Sequence, residues 1–179
     1  MEIEFKSYKE YLNDKNPRVS IKVNSKEMVV ELFEETAPIT VQNFLKLVDQ
    51  KFYDGLIFHR VIKNFMILGG DPLGTGIGGS DEKIKGEFLA NQVPNMLKHE
   101  RGVISMARSS NYNSASSQFF ICHKDAPHLD GSYAPFGVVV SGFEVLDEIA
   151  QVRTDYYDKP FTDVRIEEIR RIWKSFGSK

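Results

Sequence analysis

Cysteine is almost missing from the sequence. The 179 residues hold one, Cys122, so no disulfide can form within the chain. It sits in "QFFICH", among large apolar neighbours, and reads as a buried structural thiol. That usage fits a reducing, cytoplasmic compartment. No apolar run approaches the roughly 20 residues of a membrane span. The opening "MEIEFKSYKEYLNDKNP" mixes acids, lysines and aromatics and has no apolar core of a secretory leader. Neither sign of charge dominates: 23 Lys and Arg stand against 25 Asp and Glu, a net charge of -2. Neither nucleic acid nor a membrane surface is therefore an expected partner. His59, His99, His123 and His128 show no ligand spacing, so no metal is expected. Gly-x-Ser-x-Gly is absent, which removes the serine-hydrolase reading. The glycine-rich "GGDPLGTGIGGSD" lacks Gly-Lys-Ser/Thr and a strand–loop–helix setting. Its glycines suit a tightly turning loop better than a phosphate cradle, and no cofactor is expected.

What is present reads mostly as strand. "RVSIKV" alternates Val19, Ile21 and Val23 with polar residues, and "EMVVELF" follows across "NSK", which predicts a hairpin. "GLIFHRVI", "NFMIL", "GVISMA", "SQFFIC" and "FGVVV" are further short apolar runs. Two segments have helical spacing instead. From Pro38 to Lys51 the apolar Val41, Phe44, Leu45 and Val48 share a face, with proline near the first turn. From Phe143 to Val152, Val145, Leu146, Ile149 and Val152 do the same, and Ser141 with Glu144 fits a capping box. The C-terminal "DVRIEEIRRIW" suits a strand or a helix. Residues 1–17 form a polar lead-in, a short helix or an arm, ending at Pro17. The length fits one domain, 18–179, and many short strands with two helices predict a closed or nearly closed β-barrel.

One stretch combines this pattern with chemistry. "FHRVIKNFMILGGD" places His59 and Arg60 inside an apolar run. On strict alternation Arg60 shares a face with Phe58 and Ile62, and His59 with Ile57 and Val61. Gln118 adds a polar head beside Phe119 and Phe120, and Phe65 and Met66 add apolar anchors. A cationic head among aromatics on a rigid sheet reads as a binding groove, with apolar walls and few polar groups to fix orientation.

In order and spacing "FHRVIKNFMILGGD", "GTGIGGSD", "GVISMARSS", "SASSQFFIC" and "LDGSYAPFG" resemble the cyclophilins, over roughly residues 18–172. "MARSSNYNSASSQFFI" is similar to the bacterial branch. The resemblance implies an eight-stranded antiparallel closed β-barrel capped by two α-helices, with a C-terminal strand around Val164 to Ile172. It implies a peptidyl-prolyl cis–trans isomerase acting on proline-containing polypeptides and assisting their folding. Arg60 matches the catalytic arginine, Gln118 the glutamine that orients it, and His59 the histidine at the pocket edge. Phe65, Met66, Phe120 and Leu129 match the proline pocket. Ala107, Arg108 and Ser109 match the segment that holds the residues before proline, and Gly76 the glycine beside a second, shallower pocket. Arg108 stands where many relatives have Asn, whose backbone does the binding. His99 has a counterpart outside the reacting centre.

Three departures stand out. Leu68 replaces a Gln that helps hold the arginine, which implies lower activity. His128 replaces the Trp of vertebrate members, which implies weak cyclosporin binding. Tyr133 replaces the pocket-floor His. Leu68 also motivates a second reading, a proline-peptide binding or chaperone module with low turnover. Nothing in the sequence suggests more than a monomer.

Overall fold

In the computed structural model, residues 3–173 are described; the last six residues of the expected 18–179 domain lie outside them. The predicted hairpin is β1 (Arg18–Val23) and β2 (Lys26–Leu32). Its two-residue turn, Asn24 and Ser25, has φ of 51° and 63°, the left-handed pair whose twist matches the flanking strands. Helix α1 (Pro38–Asp49) follows, with proline in its first turn and Val41, Phe44, Leu45 and Val48 buried as predicted. Ala37 offers its N-terminus no side-chain cap. The buried Glu87 does so from a distance in sequence, accepting bonds from the Thr40 N–H at 2.7 Å and the Ile39 N–H at 3.2 Å. A carboxylate there meets the positive end of the helix dipole.

The remaining strands are β3 (Phe58–Ile62), β4 (Met66–Gly69), β5 (Val103–Met106), β6 (Phe119–Cys122), β7 (Ala134–Ser141) and β8 (Glu168–Ile172). All eight form one antiparallel sheet in the order β3-β4-β6-β5-β7-β2-β1-β8. The expected closed barrel is thus a strongly curled sheet with a seam. β3 and β8 do not pair with each other; residues 55–58 and 164–166 knit the gap instead. The Phe58 N–H donates to Val164 O at 2.9 Å, and the Ile166 N–H to Leu56 O at 2.7 Å. Val164 and Ile166, expected inside the last strand, belong to this stitch. Their side chains still enter the core, so the strand that the resemblance implied from about Val164 begins only at Glu168.

Helix α2 (Phe143–Ala150) buries Val145, Leu146 and Ile149. The capping box expected from Ser141 and Glu144 does not form. Ser141 ends β7, and the cap is Gly142 at φ 86°, with no side-chain bond. A Cβ at Gly142 would lie 2.3 Å from Glu27 O. Strand β2 therefore comes too close for any other residue, and the turn is decided by packing.

The inner core is aromatic. Phe44 of α1 meets Phe119, Phe136 and Tyr53 at ring centroid distances of 5.6, 5.3 and 5.3 Å. Alternation then places a second apolar cluster on the other face of the same strands. Phe119 and Ile121 look inward, while Phe120 and Cys122 join Met66, Ala126 and Leu129 outside. Burial pushes the Cys122 thiol up to about 12, so it stays protonated and inert. Ahead of β1, the described residues hold a 3-10 turn at Tyr8–Glu10. Lys6 bridges Leu97, the Tyr8 N–H donates to Glu100 Oε1 at 2.9 Å, and Tyr11 packs 5.7 Å from Phe33.

Candidate active site

The register of β3 departs from strict alternation at His59. Phe58 pairs with Gly69 and Arg60 with Leu68, so a bulge falls between them. Phe58 consequently turns inward with Val61, while Arg60 lies on the outer face with Ile62 and Leu68. The expectation that Phe58 and Arg60 share a face fails for this reason. A bulge inserts one unpaired residue and re-aims its neighbours, and no sequence period reports it.

Pairing then continues across the sheet: Arg60 to Leu68, Leu68 to Phe120, Phe120 to Ser105. With strands about 4.8 Å apart, Arg60 and Phe120 stand roughly 10 Å from each other, a span that a guanidinium on its stem can reach over. Beside this row lies the buried apolar cluster of Met66, Phe120 and Leu129, flanked by half-buried Phe65, Leu68, Ala107 and Tyr133. Tyr133 meets Phe120 edge-on at 5.8 Å. His128 is exposed at the rim, 5.5 Å from the Phe65 ring. A cleft of about 900 Å³ opens next to the cluster, lined by His59, Arg60, Leu68, Gly76, Ala107, Arg108, Ser109 and Gln118. Leu68 and Ala107 belong to both. Every candidate catalytic or substrate-binding residue named from the sequence therefore lies in the cleft, in the apolar cluster, or at its rim.

Two expected relationships differ. Gln118 makes no hydrogen bond to Arg60 among the described residues. Its amide nitrogen donates to Gly76 O at 2.9 Å and Gly78 O at 2.8 Å, fastening the glycine loop. Nor is Arg60 enclosed: its side chain is 50% exposed, with Asp158 3.9 Å away as its ion partner. The low dielectric that strengthens a charge is therefore not supplied by the fold at this position.

Arg108 is more than a backbone position. Its guanidinium lies between Phe88, Tyr112 and Tyr133, at 4.9, 5.0 and 4.5 Å from the ring centroids, and Nη1 donates to Ser109 O at 3.0 Å. Such cation–π contacts clamp residues 107–109 against the pocket floor. His99 sits behind the pocket, stacked on Phe120 at 6.0 Å, and its two ring nitrogens bond Asp130 and Ser105 at 3.0 and 2.9 Å.

Asp71 escaped the sequence reading. It is 1% exposed, and its carboxylate accepts four backbone bonds, from Leu73, Thr75, Gly76 and Gly78 at 2.8, 3.0, 2.6 and 3.2 Å. Burial alone would raise its pKa; the four N–H groups outweigh that and hold it below the ordinary 3.8. A Cβ at Gly78 would fall 2.1 Å from Asp71 Oδ1, so the glycine is required by this wrap. An Asp opening a glycine-rich run was the available signal. Tyr157, Asp158 and Lys159 reach the site from the loop before β8, and nothing local in the sequence announces them.

Burial lowers the pKa of His59 below 6.5; Asp71 opposes this, and Arg60 and Lys159 add to it. Burial lowers His99 likewise, against the pull of Asp130. Both imidazoles are therefore neutral at pH 7. Below 6.5 the unfolded chain takes up protons that the folded chain refuses, so stability falls with pH from that point. The expected result is a melting temperature that is level from about pH 7 to 8 and drops below 6.5. His99→Gln should flatten the drop, as pH-dependent calorimetry would show.

The family model "Cyclophilin type peptidyl-prolyl cis-trans isomerase/CLD" matches residues 18–171. The chain is 43% identical over 152 residues to the Arabidopsis thaliana peptidyl-prolyl cis-trans isomerase CYP18-1, covering 84% of this chain and 93% of that one. It is 47% identical over 139 residues to a peptidyl-prolyl cis-trans isomerase of Helicobacter pylori, covering 76% and 82%. A crystal structure of a Cryptosporidium parvum cyclophilin type isomerase in the presence of the dipeptide Ala-Pro superimposes with a TM-score of 0.81 at 36% identity, covering 88% of this chain and 99% of that one.

Proposed function

The chain belongs to the cyclophilin-type peptidyl-prolyl cis–trans isomerases, and from that membership we propose how its own residues turn the bond before proline. A peptide bond resists rotation because resonance gives it double-bond character, with a barrier of about 18–20 kcal/mol. Only before proline are cis and trans close in energy, and there the uncatalysed exchange takes tens to hundreds of seconds. Twisting the bond removes the resonance and leaves a lone pair on the proline nitrogen that the planar amide lacks. A guanidinium beside that nitrogen donates to the twisted state and to neither planar isomer, which is differential binding of the transition state.

Arg60 supplies the guanidinium: always charged, with several donors in a rigid fork. Phe65, Met66, Phe120 and Leu129 hold the proline ring. Ala107 and Ser109 guide the preceding residues, and Gln118 keeps the glycine loop in place as the opposite wall. His59 packs and does not titrate in the working range, so kcat/KM should be level between about pH 6.5 and 8.5. The observation that carries this reading is that Leu68 and Ala107 belong at once to the apolar cluster and to the cleft lined by Arg60. The test is the exchange rate of a short Xaa-Pro peptide, followed by a coupled protease or by NMR. Binding without acceleration would favour the low-turnover chaperone reading.

Leu68 gives that second reading its footing, since the side chain beside Arg60 on the neighbouring strand offers no hydrogen bond. Leu68→Gln offers the guanidinium a partner at a half-exposed position. The expected gain in kcat/KM is about two- to fivefold, well short of a full charged hydrogen bond because water competes. An unchanged rate would show that Asp158 already orients the arginine. Cyclosporin should bind weakly, because the exposed His128 offers less apolar area than a Trp, and nanomolar inhibition would overturn this. The lone buried thiol supports a cytoplasmic setting.

A further inference from the structure

The whole chain carries a net charge of -2, yet among the described residues the cleft is lined by Arg60, Lys83, Arg108 and Lys159 and by no Asp or Glu. Two of these cations are already engaged. Arg108 is held in its aromatic cage, and Arg60 faces Asp158. Lys83 and Lys159 are exposed, and neither side chain has an ion-pair or hydrogen-bond partner among the described residues. The acids nearby are spent elsewhere or lie off the lining. Asp71 is buried on four backbone bonds, Glu82 pairs with Lys46 at 3.1 Å, and Asp81 does not line the cleft.

The two lysines stand on different parts of the wall. Lys159 acts on the field at His59, near Arg60. Lys83 precedes Ile84, whose N–H donates to Ala115 O at 2.9 Å, and so lies with Ser114 and Ser116. Both line the cleft.

Resting on the isomerase reading, we propose that this cleft selects proline sites flanked by acidic residues, Lys83 receiving a carboxylate on one side of the proline and Lys159 on the other. Unlike the proline pocket, which reads the ring alone, these two charges read the neighbours. Their solvent exposure limits each to a modest gain and makes it sensitive to salt.

The experiment uses four peptides with a common Ala-Pro core: Glu or Lys placed two residues before the alanine, and Glu or Lys directly after the proline. Exchange rates are measured by NMR at low ionic strength and in 0.5 M salt, about a 4 Å screening length. Kd is measured by titration on the same samples. Expected is roughly a tenfold advantage of Glu over Lys at each flank, shrinking to near parity in salt. Lys83→Glu should invert the preference at one flank and Lys159→Glu at the other. Acceleration of all four peptides with equal kcat/KM and equal Kd overturns the proposal and leaves the isomerase reading intact. If none is accelerated, that reading falls instead, and the Kd values decide the charge preference. A preference that neither lysine variant changes also overturns it.

Discussion

Arg60→Ala is expected to lower kcat/KM by a factor of about 100 to 1,000 while leaving the melting temperature within about 2 °C of the parent. The size follows from what is removed. A single preorganised donor to a developing lone pair is worth about 3–4 kcal/mol in an enclosed site, and each 1.36 kcal/mol is tenfold in rate. Half exposure of the side chain argues for the lower part of the range, because the polypeptide itself must exclude the water. The same exposure argues for the small stability effect: nothing buried depends on the guanidinium, and its contact to Asp158 is 3.9 Å long. An exposed pair of that kind contributes little to folding. KM should move less than kcat, since the planar ground state offers no lone pair to the fork. Arg60→Lys keeps the charge but not the fork, and should recover only part of the loss. A variant lacking Arg60 that retained full activity would end the mechanism. A loss confined to KM would make Arg60 a docking residue.

How far the sequence foretold this site depends on the range of the interactions that build it. Alternation in β1 and helical spacing in α1 are local, and both elements lie where they were expected. The apolar cluster of Met66, Phe120 and Leu129 was expected from the resemblance alone; the opposite facing of Phe119 and Phe120 follows from strand alternation once β6 is in place. What was not legible is non-local. The bulge at His59 depends on how β4 pairs with β3, and it reverses the face shared by Phe58. The cap of α1 comes from Glu87, almost fifty residues away. Asp158 reaches Arg60 from a loop nearly a hundred residues later. The resemblance to a family supplied the candidate site residues; it did not supply their partners here, as the bonds of Gln118 and the aromatic contacts of Arg108 demonstrate.

Asp71 allows the sharpest test of those non-local partners. Its carboxylate organises residues 71–78, and through Gln118 that loop becomes the wall facing Arg60. Asp71→Ala removes the acceptor for four N–H groups at once. Because much of the loop is exposed, some of those donors will find water, and the expected cost is about 2–4 kcal/mol, below the sum of four charged hydrogen bonds. Asp71→Asn should be nearly as costly despite its shape. One amide oxygen can serve either Leu73 or the group of three, and the NH2 then confronts donors on the other side. The pH dependence carries the same signature. Because the folded group is held below 3.8, its contribution is complete above that value and is lost as pH falls through the folded pKa. The Asn variant should therefore be already destabilised at neutral pH and show a shallower acid limb in urea titrations. Peptide exchange should slow in both variants, mainly through KM, as the wall loosens while Arg60 stays in place. An Asn variant as stable as the parent would mean that the loop is held by its own turns, and that the charge at Asp71 contributes nothing to the site.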